Sequence, residues 1–325
     1  MFETRISKML SIRYPIIQGG MIWLSRAELA AAVSNAGGLG ILSAISFPTA
    51  RELREELRKA KSLTDKPFGI NLPIFPTTRP TEGIEKYIEV AAEEGVKVAE
   101  TSGQSPEPYM KQFKDGGMKV IHKVPAVRFA QTAERIGADA VIMFGCEGGG
   151  HIGLDYVTSL VLIPRAAESV DIPVIAAGGF GDARGFVAAL ALGAEGVLMG
   201  TRFMASKESP AHPKIKEYLI KARETDTMLI EQSIRNTARV IKNRPAEKTA
   251  EMEKKGASLE ELLPVIGGLK EKELFETGEL DVGIMHSGQI EGLIKEIPTV
   301  KEIIDSIVSE AGPICQRLQQ LAETG

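Results

Sequence analysis

The sequence predicts an α/β fold, a (β/α)8 TIM barrel carrying a small inserted helical subdomain. Short β-branched runs alternate with longer amphipathic ones eight times over about the first 200 residues, the usual size of such a barrel. Several of the short runs are continuously apolar, as parallel strands buried on both faces require. A doubly wound open sheet would show the same alternation, but no GxGxxG follows the first strand, which favours the barrel.

In chain order the predicted strands lie at 15–19, 39–43, 68–72, 96–100, 120–124, 140–144, 174–177 and 196–199. The helices between them are expected at 25–36, 49–62, 81–94, 106–115, 127–136, 159–169 and 183–192. Gly37, Gly95, Gly116 and Gly193, each just before a strand, fit helix C-caps. After Phe203 the pattern changes, and residues 209–275 are charged, helix-prone and poor in strand signal, with helices near 213–223 and 258–266. The expected division is a barrel over 1–208, a helical subdomain covering the active site over 209–280, and a return segment with a closing helix over 281–325. Within 300–321 the apolar residues Ile303, Ile304, Ile307, Val308, Leu318 and Leu321 fall on one helical face.

Bulk properties mainly exclude. Hydrophobic content of 43% and charged content of 25% are those of a soluble globular chain. A net charge of -4 gives no footprint for nucleic acid or an anionic membrane. Cys146 and Cys315 form no CxxC pair, and the four histidines have no zinc-binding spacing, so no metal is expected. Neither a secretory leader nor a bilayer-spanning apolar run is visible, so the expected location is the cytoplasm.

The most informative stretch is 145–153, where His151 stands among glycines directly after an apolar run. Glycine lets a ligand lie close to the main chain. An imidazole with so few side chains around it suits proton handling better than packing. Two further glycine turns, Gly178-Gly179 and Gly200-Thr201, follow the last two predicted strands. In (β/α)8 enzymes the loops there commonly hold a phosphate on backbone amides, although glycines also simply make tight turns. Gly19, Gly20 and Met21 end the first strand, where a flat ligand can rest on backbone. Asn71 ends the third and offers both donor and acceptor to a heteroaromatic edge. Lys123 ends the fifth and is either a solvated lysine or a charge that stabilises a developing anion, while His122 points to the opposite side. Together these residues outline a site for flavin mononucleotide (FMN), its phosphate on the two glycine turns and its ring over the barrel mouth.

The segments Gln18-Gly19-Gly20-Met21, Asn71-Leu72-Pro73, 119–123, Gly149-Gly150-His151, 199–203 and Asn236-Thr237-Ala238-Arg239 carry a resemblance over nearly the whole chain. The chain resembles the nitronate monooxygenase family, once called 2-nitropropane dioxygenases, and within it the NADH:quinone reductases. The resemblance implies an FMN enzyme with NADH or NADPH as possible co-substrate. It makes His151 the acid/base or substrate-orienting group. It further implies substrate or nucleotide contacts for Pro76 and Thr78, in the proline-rich stretch 71–80, and for Ser287 and Gln289.

Flavin-dependent enoyl-[acyl-carrier-protein] reductases are similar too, through Gly149-Gly150-His151-Ile152-Gly153, the turn at 200–203 and Gly288-Gln289-Ile290. The His122-Lys123 pair and the proline-rich stretch weigh toward the quinone reductases. The substrate class, whether nitronate, quinone or enoyl thioester, stays open, and so does the oligomeric state, a homodimer being one candidate assembly. A flavin-free isomerase or aldolase barrel, with Lys123 forming a Schiff base, is the rival from another class. Cys146 reads as a small hydrophobe and Glu147 as a solvated loop carboxylate. His212 reads as structural or at a helix start, and Arg202 as phosphate support or a salt-bridge partner.

Overall fold

The structure is a computed structural model that describes residues 2–74 and 82–323. Its strands are β1 (Ile16–Gln18), β2 (Leu39–Ser43), β3 (Phe68–Ile74), β4 (Val98–Gly103), β5 (Lys119–Val124), β6 (Ala140–Phe144), β7 (Gly150–His151), β8 (Val174–Ala177), β9 (Gly196–Met199), β10 (Thr227–Ile230) and β11 (Ala238–Ile241). Eight of them close a parallel barrel in the order β1-β2-β3-β4-β5-β6-β8-β9, as the sequence predicts. Closure pairs Ile17 of β1 with Leu198 of β9.

Ile17, Leu39, Ile41, Val98, Ile121, Ile142, Ile175 and Leu198 fill the barrel interior. The helix Arg5–Leu10 joins this core through Ile6 and Leu10. It starts at a capping box in which the Thr4 hydroxyl accepts from the Ser7 amide and the Ser7 side chain accepts from Thr4. Outside the barrel, the helix Val300–Glu323 packs between Ala183–Ala191 and Ala27–Asn35, burying Val300, Ile303, Ile304, Ile307 and Ala311. It thus completes the wall. Leu318 and Leu321, expected on the same buried face, are 48% and 64% exposed because the helix runs on past the barrel.

Two expectations are corrected. β4 runs over Val98–Gly103 rather than 96–100, two to three residues later than its apolar start suggests. The 209–275 region is not purely helical. Besides the helices Pro213–Lys221, Arg244–Lys254, Leu259–Ile266 and Gly268–Thr277, it holds β10 and β11, which pair antiparallel. β11 then pairs with β7, setting Ala238 opposite His151. Strands of four residues between charged flanks carry little periodicity, and the third strand comes from a distant glycine run. Among the described residues no helix is long and apolar enough to cross a membrane.

Candidate active site

Side chains alternate along a strand. Val98 and Ile121 point into the barrel, so Glu100 and Lys123 point inward one layer higher, at its C-terminal mouth. Glu100 is fully buried and was not anticipated from the sequence. Its Oε2 accepts from the Gly20 amide at 3.1 Å and its Oε1 lies 2.9 Å from Lys123 Nζ. The ammonium also lies 5.7 Å from the centre of the Phe144 ring. Lys123 is therefore half of a buried-carboxylate pair rather than an isolated cation.

Asn71, 4% exposed, accepts at Oδ1 from the Ser43 hydroxyl at 3.4 Å. The first loop is braced from below: Gln18 Oε1 accepts from Ile41 N at 3.2 Å and Ser25 Oγ accepts from Met21 N at 2.7 Å. His122 lies on the other face of β5, its Nδ1 2.9 Å from Thr101 Oγ1. Burial pushes its imidazole down to about 4, so it is neutral near pH 7.

The glycines of the site differ in why they are glycine. A β-carbon at Gly19 would stand 2.6 Å from Leu198, one at Gly20 2.4 Å from Asn71, and one at Gly149 2.5 Å from the Ser287 backbone. Packing alone requires those three. Gly178 has φ 91° and Gly179 φ 83°, a region side chains disfavour. A β-carbon at Gly150 would meet nothing within 4 Å, and one at Gly200 only Met21, at 3.6 Å. These two border open space. The amides of Gly178, Gly179, Phe180, Gly181 and Gly200 donate to no acceptor among the described residues.

The return segment is laced onto this mouth. Gly288 N donates to Thr201 Oγ1 at 3.1 Å and Gln289 N to the Glu147 carbonyl at 2.9 Å. Ser287 is buried, its hydroxyl donating to Glu291 Oε2 at 2.6 Å. The other oxygen of Glu291 is buried without a partner among the described residues, and burial pushes this carboxyl up to about 7.

Neighbouring residues take structural roles. Glu147, expected to be solvated, caps the helix Ser159–Ala167 by accepting from Ser159 N at 3.0 Å. Arg202 makes no ion pair among the described residues; it is buried and donates to the Ala205 and Glu296 carbonyls at 3.1 and 2.9 Å. Burial raises the pKa of the Cys146 thiol, with Glu147 adding to it, in line with a small inert residue. His212 caps the helix Pro213–Lys221 through Nδ1. Pro76 and Thr78 lie outside the described residues.

His151 lies on β7, its side chain 52% exposed and its Nε2 3.5 Å from Glu231 Oε2. Glu231 is buried and accepts from Asn236 Nδ2 at 2.7 Å. Its burial favours protonation, but His151, His286 and Asn236 more than offset that and lower its pKa. The ring of His286 lies 5.6 Å from that of His151, and its Nδ1 is 2.7 Å from Glu271 Oε1. Burial pulls the His286 imidazole down, yet Glu271, helped by Glu231, leaves it above its ordinary value. Sequence reading missed Glu231, Glu271 and His286, which are far from His151 in the chain. The one available signal was His286 beside Ser287. No group of side chains among the described residues is arranged to hold a metal ion.

The nitronate monooxygenase family profile matches residues 3–310. A dehydrogenase of Rhodococcus jostii named for a hydroxy-methyl-oxo-octahydro-indene-carboxyl-CoA is 34% identical, over 95% of this chain and 96% of its own. A probable nitronate monooxygenase of Staphylococcus aureus is 34% identical over 77% of this chain and 81% of its own. Among solved structures, FabK from Thermotoga maritima superposes with a TM-score of 0.92 at 40% identity, covering 99% of this chain and 100% of that one. With a closed barrel, a histidine at its mouth and a family match over nearly its whole length, the chain belongs to the nitronate monooxygenase family and is a flavin-dependent oxidoreductase.

Proposed function

We propose that the chain uses FMN to move hydride from NADH or NADPH onto the double bond of an enoyl thioester. The unpaired amides of Gly178, Gly179, Phe180, Gly181 and Gly200 carry the choice of a phosphate-bearing flavin. Free amides at the ends of two adjacent barrel strands suit a phosphate. Open space borders Gly150 and Gly200, and Gly19, Gly20, Met21, Gly149 and Thr201 would be the residues that hold a flat ring there. Asn71 and Lys123 would supply polar contacts at the ring edge.

When bound, FMN would supply the two-electron hydride chemistry of the reaction. His151 then gives the proton that completes reduction at the α-carbon. Glu231 faces the Nε2 edge and so orients the ring, leaving Nδ1 as the edge that donates it. Ser287 and Gln289 shape the wall opposite, Ser287 through its buried bond to Glu291 and Gln289 by its position in the return segment.

Two observations favour a thioester. The expected resemblance to enoyl-[acyl-carrier-protein] reductases is supported by the 40% identity to FabK over 99% of the chain. The Rhodococcus relative carries a CoA thioester in its name. The features that weighed toward quinone reduction weigh less: His122 turns away from the mouth, and Lys123 is engaged by Glu100. That same engagement ties up the amine an aldolase-type Schiff base would need. Nitronate oxidation is the second reading, favoured by the family match and the Staphylococcus relative.

Anaerobic mixing tests the proposal. NADH should bleach the flavin spectrum, and crotonyl-thioester should restore it. Restoration by benzoquinone alone would move the assignment to quinone reduction. Oxygen uptake with alkyl nitronate and no NADH would move it to nitronate oxidation. A preparation that neither contains nor binds FMN would overturn the cofactor. A homodimer is part of the same proposal, and sedimentation equilibrium checks it.

A further inference from the structure

We propose that Glu231 and His286 are positioning residues for His151, and that with Glu271 they form one cluster that holds its ring. The inference rests on the reading of His151 as a proton donor. Its evidence is geometric. His286 is tied at Nδ1 to Glu271, 2.7 Å away, while its Nε2 is buried with no partner among the described residues. Its ring stands 5.6 Å from that of His151. A native structure rarely leaves a buried ring nitrogen unpaired without a reason.

Glu231 lies between the two histidines in charge, 3.5 Å from His151 Nε2. Its backbone has φ 61°, uncommon for a side-chain-bearing residue. Glu253 fixes that conformation, accepting from Glu231 N at 2.9 Å and from Ser233 N at 2.8 Å. A strained residue held from two sides is a sign that its side-chain direction is needed.

The charged groups facing the imidazoles come from three directions: Glu271 from the helix Gly268–Thr277, Glu231 from the loop after β10, and each histidine facing the other. Glu231 at the Nε2 edge and the His286 ring beside it hold the His151 imidazole from two sides.

Histidine ring resonances of the 15N-labelled protein test this without turnover. The His151 ring signals should shift as His286 titrates, the two rings lying 5.6 Å apart. Glu271→Gln, whose carboxylate is bonded to His286, should move that response to lower pH. His286→Gln should remove it. In turnover, both variants should displace the pH profile of kcat in the same direction while KM stays within about twofold, and Glu231→Asp should restore more activity than Glu231→Gln. His151 signals that do not follow His286, or that Glu271→Gln leaves unchanged, would overturn the proposal, as would lower kcat with an unmoved pH profile. If His286→Gln does not fold, Glu271→Gln carries the test. Full activity of His151→Ala would defeat the donor reading instead, and the resonance experiment distinguishes the two failures.

Discussion

Glu291 shows what a single buried carboxyl does to the pH dependence of stability. Its native pKa of about 7 lies above the ordinary 4.5, so the folded protein binds this proton more tightly than the unfolded chain. Its contribution to stability is therefore complete below pH 4.5 and is lost as pH rises through 7. The loss is on the order of 3 kcal/mol by pH 8. Glu291→Gln keeps the neutral shape, so the fall in Tm between pH 5 and 8 should be smaller than in the parent; an identical fall would refute the assignment. At His151 the expectation is chemical. His151→Ala should retain the flavin spectrum while kcat drops by about 10²–10⁴-fold, the usual worth of a positioned acid, and full activity would remove it from the mechanism. Most site residues were legible one at a time as glycines, an amide, a lysine and a histidine. Glu100 was legible in principle from period two, since it follows Val98 inward as Lys123 follows Ile121.

Element by element, the eight barrel strands were readable because each is a short apolar run set off by glycine. β7 was not, being two residues long and holding its place only through β11. Gly150 tests that dependence. Its φ of 97° excludes most side chains, yet a β-carbon there meets nothing within 4 Å. Gly150→Ala thus introduces backbone strain without a clash, about 1–3 kcal/mol by analogy with other strained positions. The expected result is lower turnover per bound flavin, with activity and flavin absorbance measured on the same sample because a β-carbon there also enters the space given to the ring. Equal turnover would show that His151 does not need its place in the sheet.

For the whole molecule, ligand binding and stability are linked. A cofactor that binds only the folded barrel at 100 times its Kd adds about 2.7 kcal/mol. FMN should therefore raise Tm measurably, and riboflavin, which lacks the phosphate for the free amides after β8 and β9, should raise it much less at equal concentration. Equal shifts would disconnect Gly178, Gly179 and Gly200 from the phosphate.

The sequence by itself determined the barrel, the closing C-terminal helix and the glycine turns, because periodicity and backbone permissiveness are local properties. His151 was also visible alone, as an imidazole without packing neighbours. Only the tertiary structure decided what surrounds these residues. Glu100 beside Lys123, and Glu231, Glu271 and His286 around His151, are brought together by barrel closure and by the pairing of β7 with β11. Electrostatic partnership acts through space over a few ångströms, and no spacing along the chain announces it.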